Sequence, residues 1–373
     1  MKNKRVIVSV INDLATDQRV ARSCAVLCEL GWEVVLVGRV FPHSMPLNRP
    51  YQCVRFRLPI NKGPLFYAVY NLRLFFYLLF NRCDLLFSND LDTLLPNFLI
   101  SKLKHKPIIY DSHEYFTEVP EIQNRPFVKK TWQFIEKICL SRLKSMITVS
   151  NSIADLFRDK YQIKVDVIRN VPTKTQISAE TTRVQLGLPL DKFIVILQGA
   201  GINIDRGAEE AVESMNFVEN AILLIVGSGD VVPKLKESVA AQNLSEKVWF
   251  IDKQPVEILL QYTRLSDIGL SLDKPLNVNY EYSLPNKLFD YIQAEICVIA
   301  SNLKEVAQIV SLYDVGVIVD ELSPACISDK INLLIDNPEL LAKYKHNSTQ
   351  AAEILCWENE KKILENILNV YAK

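Results

Sequence analysis

The feature that most constrains this chain is an alternation. Short apolar runs rich in Val, Ile and Leu are each followed by a stretch with helical spacing, almost from end to end. The first runs are Arg5–Val10, Glu33–Val37, Cys53–Phe56, Leu85–Ser88, Lys106–Tyr110, Met146–Val149 and Val165–Ile168. Helical patterns fill Asp17–Leu30, Leu65–Phe80, Leu91–Lys104, Phe127–Leu143 and Ile153–Tyr161. Strands that alternate with helices pair in parallel, with helices on both faces. The pattern breaks at Asn170–Pro189, a polar stretch with two prolines that reads as a linker. It restarts at Phe193–Leu197 and runs through Ile222–Val226, Val248–Ile251, Ile268–Leu272, Cys297–Ala300 and Val315–Val319, after which Pro324–Ala372 is helical. A chain of 373 residues exceeds one typical core. The expectation is two doubly wound α/β domains, 1–169 and 170–355. Ligands of such sheets bind beyond the carboxyl ends of the strands, so the cleft between two facing sheets is the default site.

Composition removes several function classes. Lys plus Arg and Asp plus Glu are both 43, which argues against a general nucleic-acid binder. Eight cysteines sit mostly inside apolar periodic segments, without the Cys/His clustering of a zinc site, and read as free thiols. The opening MKNKRVIVSVIND reads as a first strand rather than a leader. Leu65–Phe80 (LFYAVYNLRLFFYLLF) is the most apolar stretch, but it is shorter than the ~20 residues a bilayer span needs. It reads as a buried or half-buried helix, with an interfacial helix as the alternative.

The loops that follow strands carry the chemistry. Tyr280–Ser301 (YEYSLPNKLFDYIQAEICVIAS) leads through Pro285 into a helix that offers Lys287 and Asp290 at its front. A loop, a helix N-terminus, one cation and one carboxylate suit a nucleoside diphosphate with its ribose; a plain αβ unit is the alternative. Gln198–Gly207 (QGAGINIDRG) offers Gly199, Gly201 and Arg206, whose guanidinium grips a diphosphate with two N–H groups. It is not G-x-G-x-x-G. Val226–Asp230 (VGSGD) is a further glycine turn, at Gly227. In the first half, Tyr110–Glu118 (YDSHEYFTE) packs Asp111, His113 and Glu114 together after a strand. A histidine there hydrogen-bonds a substrate hydroxyl or titrates near neutrality; a metal ligand or a structural group are the other readings. No G-x-S-x-G elbow accompanies it. Asn12, Asp17 and Arg19 follow the first strand, with Asp17 placed to cap a helix. Asn89–Asp92 (NDLD) reads as a cap or a contact loop.

Taken in order, YDSHE, QGAGINIDRG, VGSG and SLPNKLFDYIQAEICVIAS resemble the family 4-like glycosyltransferases of the GT-B fold. The opening DLATDQRVARSCAVLCELGWEVVLVGR and the late pair Trp357–Glu358 also resemble that family. The resemblance spans essentially the whole chain. It implies two Rossmann-like domains facing across a cleft: an N-terminal acceptor-binding domain, on which 356–373 packs back, and a C-terminal nucleotide-sugar-binding domain. It implies transfer of a glycosyl group from a nucleoside-diphosphate sugar to an acceptor hydroxyl with retention. No metal and no cofactor are expected.

Residue by residue, the resemblance places Asp290 on the ribose as the second acid of an E-x7-E motif, whose first acid falls on Tyr282. Ser283 and Leu284 then offer backbone amides to the donor, and Gly199, Gly201, Gly227 and Lys253 complete its surroundings. Arg206 matches one member of a basic pair on the diphosphate, and Lys287 is the candidate for the other. His113 lies against the donor sugar, so His113, Arg206 and Lys287 are the expected catalytic residues. Asn12, Asp17, Arg19, Asp111 and Glu114 are the acceptor-side candidates. A glycan or lipid-linked acceptor, peripheral membrane contact and a cytoplasmic location in surface-polysaccharide or glycolipid assembly complete the expectation, with no nucleic acid. A GT-B-like sugar-nucleotide epimerase and a non-catalytic nucleotide-sugar-binding protein remain as alternatives.

Overall fold

The computed structural model describes residues 4–42, 44–174 and 181–372. Two compact units emerge. The first is Met1–Asn170 with Glu360–Lys373, the second Val171–Asn359.

The first unit is built on seven strands: β1 (Arg5–Asp13), β2 (Glu33–Arg39), β3 (Gln52–Phe56), β4 (Leu85–Asn89), β5 (Ile108–Ser112), β6 (Ser145–Thr148) and β7 (Lys164–Val167). Their order in the sheet is β3-β2-β1-β4-β5-β6-β7, parallel throughout. Val6 of β1 pairs with Val34 on one side and Leu85 on the other, so the chain order reverses between β1 and β4. Every residue of β4 is buried, which is why it reads as an uninterrupted run rather than an alternating one. Helix Gln18–Glu29 starts where the Asp17 carboxylate accepts from the Val20 N–H, and Gly31 follows it at φ +81°, a left-handed conformation that favours glycine. Helix Trp357–Ala372 joins this unit through Glu360. Its carboxylate accepts from the Arg169 backbone N–H at 2.8 Å and meets the Arg169 guanidinium at 2.6 Å.

The second unit repeats the plan with β8 (Phe193–Gly199), β9 (Ala221–Gly227), β10 (Val248–Ile251), β11 (Ile268–Ser271), β12 (Cys297–Ser301) and β13 (Gly316–Val319). Their order is β10-β9-β8-β11-β12-β13, again parallel, with the reversal between β8 and β11. One apolar layer on each face of the sheet forms its core, Leu223 and Ile299 on one side, Leu224 and Val298 on the other. A helix at Lys304–Tyr313, absent from the sequence expectation, joins β12 to β13.

The linker reading needs correction. Residues 175–180 of it lie outside the described residues. Beyond them the chain is already docked on the second unit. The Arg183 guanidinium donates to the Leu265 carbonyl at 2.9 Å and the Asp267 carboxylate at 2.8 Å, and Leu188 is buried in the core. Polar composition here reflects an anchoring arginine rather than a free tether.

Candidate functional site

Each sheet places its chain reversal, and the loops that diverge from it, beneath one cluster of charged side chains. In the second unit the reversal lies between β8 and β11. The loop after β8 and the front of helix Asn286–Gln293 enclose a cavity of about 330 Å³, lined by Gln198, Gly199, Gly201, Arg206, Asn286 and Lys287 among others. Pro285 is extended and precedes the helix, so the positive end of the helix dipole lies at this end of the sheet.

The cations are organised by a residue that the sequence reading did not single out. Asp273, just beyond β11, is almost fully buried. One of its oxygens lies 3.2 Å from the Arg206 Nη1 and the other 3.2 Å from the Lys287 Nζ. The Arg206 Nη2 also donates to the Tyr280 hydroxyl at 3.3 Å, and its guanidinium lies 5.0 Å from that ring's centroid. Burial works against the charge on Arg206, but Asp273 and Tyr280 outweigh it and raise its pKa further. The Arg206 Nε remains buried without a hydrogen-bond partner. Two cations share one carboxylate beside a cavity, which leaves a net positive charge and unspent donors for an anion.

The remaining donor-side candidates separate. Asp290 lies one turn into the helix, where its Oδ2 accepts from Gln198 Nε2 at 3.2 Å. Gln198 Oε1 in turn accepts from the Thr263 hydroxyl at 2.6 Å, so Asp290 is oriented through a chain of hydrogen bonds. Gly199 and Gly201 line the cavity. Gly227 is not among its lining residues; at φ +141° its Cβ would fall 1.8 Å from the Gly199 carbonyl oxygen. The glycine is required by the packing of one loop on the other. Tyr282 is half-buried, with Lys304 Nζ 5.3 Å from its ring centroid, and Leu284 is buried. The Ser283 hydroxyl donates to the Tyr280 carbonyl at 3.0 Å. Lys253 is exposed in the loop after β10.

In the first unit, the cluster forms at the ends of β4 and β5. Asp90 holds His113 twice: one oxygen accepts from the His113 backbone N–H at 2.8 Å, and the other lies 3.2 Å from its Nδ1. Asp90 adopts φ +58°, a conformation unusual for a non-glycine residue, as the chain turns from β4 into helix Leu91–Lys104. The Asp111 carboxylate lies 3.4 Å from the His113 Nε2, and that buried nitrogen makes no well-formed hydrogen bond. Burial disfavours the imidazolium, but Asp90 and Asp111 together push the His113 pKa up to about 10. The expectation that His113 titrates near neutrality is therefore corrected. The two carboxylates favour its protonated, donating form.

Arg19 and Asp111 change role. Both are buried, and Arg19 spends its Nε and Nη2 on Asp111 at 3.0 and 2.8 Å and its Nη1 on the Ile168 carbonyl at 2.9 Å. Burial alone would raise the Asp111 pKa; Arg19 and His113 reverse this and hold it well below the usual carboxylate range. The buried pair positions His113. Asp17 is a cap, as its position predicts, and also accepts from Asn12 Nδ2 at 3.0 Å. Glu114 is half-buried beside this cluster. Asp92 is buried, and burial raises its carboxyl pKa, reinforced by Asp90 and Glu114. Among the described residues, no group of three His, Cys, Asp or Glu side chains is placed to hold a metal ion.

Comparison with known proteins accounts for this doubled plan. Residues 178–351 match the model for glycosyl transferases group 1, and residues 18–173 match that for glycosyltransferase family 4. Together these take in most of the chain, which belongs to the family 4-like glycosyltransferases of the GT-B fold. Sucrose-phosphate synthase from Thermosynechococcus elongatus superposes with a TM-score of 0.83 at 16% identity, covering 99% of this chain and 100% of that one. A glycosyltransferase from Rickettsia africae gives 0.72 at 15%, covering 100% and 98%. The Anabaena protein HepE, solved with UDP-glucose, gives 0.74 at 14%, covering 98% and 99%. No curated protein sequence matches the chain significantly.

Proposed function

We propose that the second unit binds a nucleoside-diphosphate sugar and that the enzyme transfers the sugar, with retention, to an acceptor hydroxyl. The observation that carries this is the Arg206–Asp273–Lys287 cluster at the cavity, a preorganised net cation beside a helix N-terminus. That HepE was solved with UDP and with UDP-glucose supports the same ligand class. In the reaction the C1–O bond to the diphosphate breaks and a C1–O bond to the acceptor forms. The acceptor's proton goes to the departing phosphate oxygen, since Asp90 and Asp111 favour the protonated form of His113. Arg206 and Lys287 stabilise the charge developing on that oxygen, so the scheme uses no metal. Asp290 holds the ribose. His113, pinned by Asp90 and Asp111, offers a ring N–H to a substrate hydroxyl at the end of the first sheet. The acceptor is a glycan or a lipid-linked sugar in surface-polysaccharide or glycolipid assembly, on the cytoplasmic side of the membrane.

The test is calorimetric titration with UDP, GDP and ADP, followed by NMR of the matching nucleotide-sugar with and without acceptor sugars. Binding of one nucleotide and a glycoside of unchanged anomeric configuration is the expected result. An inverted product overturns the retaining scheme. Conversion to an epimer without acceptor overturns the transferase reading.

A further inference from the structure

Helix Gly63–Phe80 is apolar on both faces apart from Asn71 and Arg73, yet only one of its faces is covered. Phe66, Tyr70, Leu74 and Leu78 are buried against the sheet, while Leu65, Leu72, Phe76 and Phe80 stand exposed on the other side, Phe80 by 79%. These recur at seven- and four-residue steps, so they form one stripe. The helix is long and apolar enough to cross a membrane by length and composition alone, but its buried face belongs to the core of the first unit. A soluble surface helix would carry polar residues on that outer stripe. Its neighbours continue the departure. Helix Leu91–Lys104 packs beside it and exposes Leu99 and Leu103. Helix Pro126–Leu140 packs on the latter and exposes Phe134 and Phe127, the last by 83%.

Charge identifies what covers this face. Segments 61–82, 91–106 and 125–142 contain eleven Lys and Arg against two carboxylates, Asp92 and Glu136, in a chain whose overall charge is zero. Both carboxylates are buried, whereas Lys62, Lys102, Lys130 and Lys137 are exposed. An apolar stripe flanked only by exposed cations fits an interface of acyl chains and anionic headgroups. A second copy of this chain would bring the same cations face to face, which the charge pattern disfavours. We propose that the outer face of these three helices seats the first unit on an anionic bilayer surface, lying in the interface without spanning it.

The proposal rests on the acceptor reading above and sharpens it. Helix Pro126–Leu140 is tied to the turn that follows His113: Trp132 stacks edge-on against Phe116 at 5.0 Å, and Lys129 pairs with Glu118 at 2.8 Å. A bilayer on this face therefore lies beside the His113 cluster and delivers an acceptor carried on a lipid to it.

The test is co-sedimentation of the full chain with vesicles of phosphatidylcholine alone or with one-quarter phosphatidylglycerol, at low and high salt. Binding to the anionic vesicles, weakened by salt, is expected. Each lost cation lowers affinity about fivefold, so K130Q with K137Q lowers it about 25-fold. F76S with F80S lowers it roughly tenfold or more. These side chains are exposed, so melting temperature and nucleotide affinity serve as fold controls and stay unchanged. No binding to anionic vesicles, or equal binding by both variants, overturns the proposal. Concentration-dependent dimerisation that F76S with F80S abolishes, without vesicle binding, assigns the face to a second copy and also overturns it. Because nucleotide affinity is read separately, failure of the donor site leaves the vesicle result interpretable.

Discussion

Asp273→Asn is the substitution on which the donor-site reasoning depends most. It keeps the shape of a buried side chain and removes the one negative charge shared by Arg206 and Lys287. Each cation lies 3.2 Å from a carboxylate oxygen. At an effective dielectric constant near 20, each contact corresponds to about 5 kcal/mol of gross Coulomb attraction. Most of this is cancelled by the cost of desolvating the carboxylate, and Arg206 is 32% exposed, which screens its share. Removing one partner of a buried cluster costs about 3–5 kcal/mol; the exposed side of Arg206 brings the expectation to about 3 kcal/mol. For a unit of this size each kcal/mol shifts the melting temperature by about 2–4 °C, giving a fall of roughly 6–12 °C.

What makes the prediction specific is its dependence on ligand. A bound diphosphate brings its own negative charge to the same two cations and replaces what Asp273 supplied. The nucleotide should therefore raise the melting temperature of the variant by more than that of the wild type, narrowing the gap. Turnover should nonetheless fall about tenfold to a hundredfold, because the cations are no longer aimed before the leaving oxygen develops its charge. Differential scanning fluorimetry with and without the nucleotide, beside steady-state kinetics, reads all three quantities. If the unliganded variant melts within about a degree of wild type, or if nucleotide leaves the gap as wide as before, Asp273 does not arrange these cations and the argument fails.

Other substitutions test the rest of the arrangement. Arg206→Ala and Lys287→Ala should each lower kcat by about 10²–10³ while leaving the circular dichroism spectrum unchanged; near-normal turnover in both removes the cation assignment. Asp290→Asn should weaken nucleotide binding by about tenfold, the loss of a charge-assisted hydrogen bond to ribose, as calorimetry would show. Gly227→Ala sets a methyl 1.8 Å from the Gly199 oxygen at φ +141°, so it should destabilise the second unit by about 3 kcal/mol or more in chemical denaturation. His113→Gln tests the cluster by pH. Because the folded-state pKa of His113 is raised to about 10, its stabilising contribution is full below the unfolded-state value near 6.5 and is lost as pH rises through about 10. The stability gap between wild type and variant should shrink across that window; a gap constant from pH 6 to 10 contradicts the charged histidine.

The sheets were legible because parallel strands buried on both faces must be apolar at every position, and β4 and β11 are buried throughout. The site was legible only where a residue type is scarce in its surroundings. Lys287 and Arg206 stand out because each is a cation at the front of a helix, and His113 because the chain has four histidines. Asp90 and Asp273 carry no such mark. Each is one carboxylate among 43 acidic residues, and a loop Asp after a strand is most often a cap or a turn former. Their importance lies in what they face: Asp90 reaches 23 residues ahead to His113, and Asp273 reaches Arg206 across the reversal between β8 and β11 and Lys287 further along its own connection. The same logic joins the two units. In each, a carboxylate at the end of the strand beyond the reversal, β4 or β11, fixes a cation that follows another strand, His113 or Arg206, and the cation is the residue that sequence reading finds. A cation left alone at a strand end would take whichever rotamer water favours, losing side-chain entropy when a substrate ordered it. The buried acid fixes that geometry during folding, so less of the substrate's binding free energy goes into ordering the site.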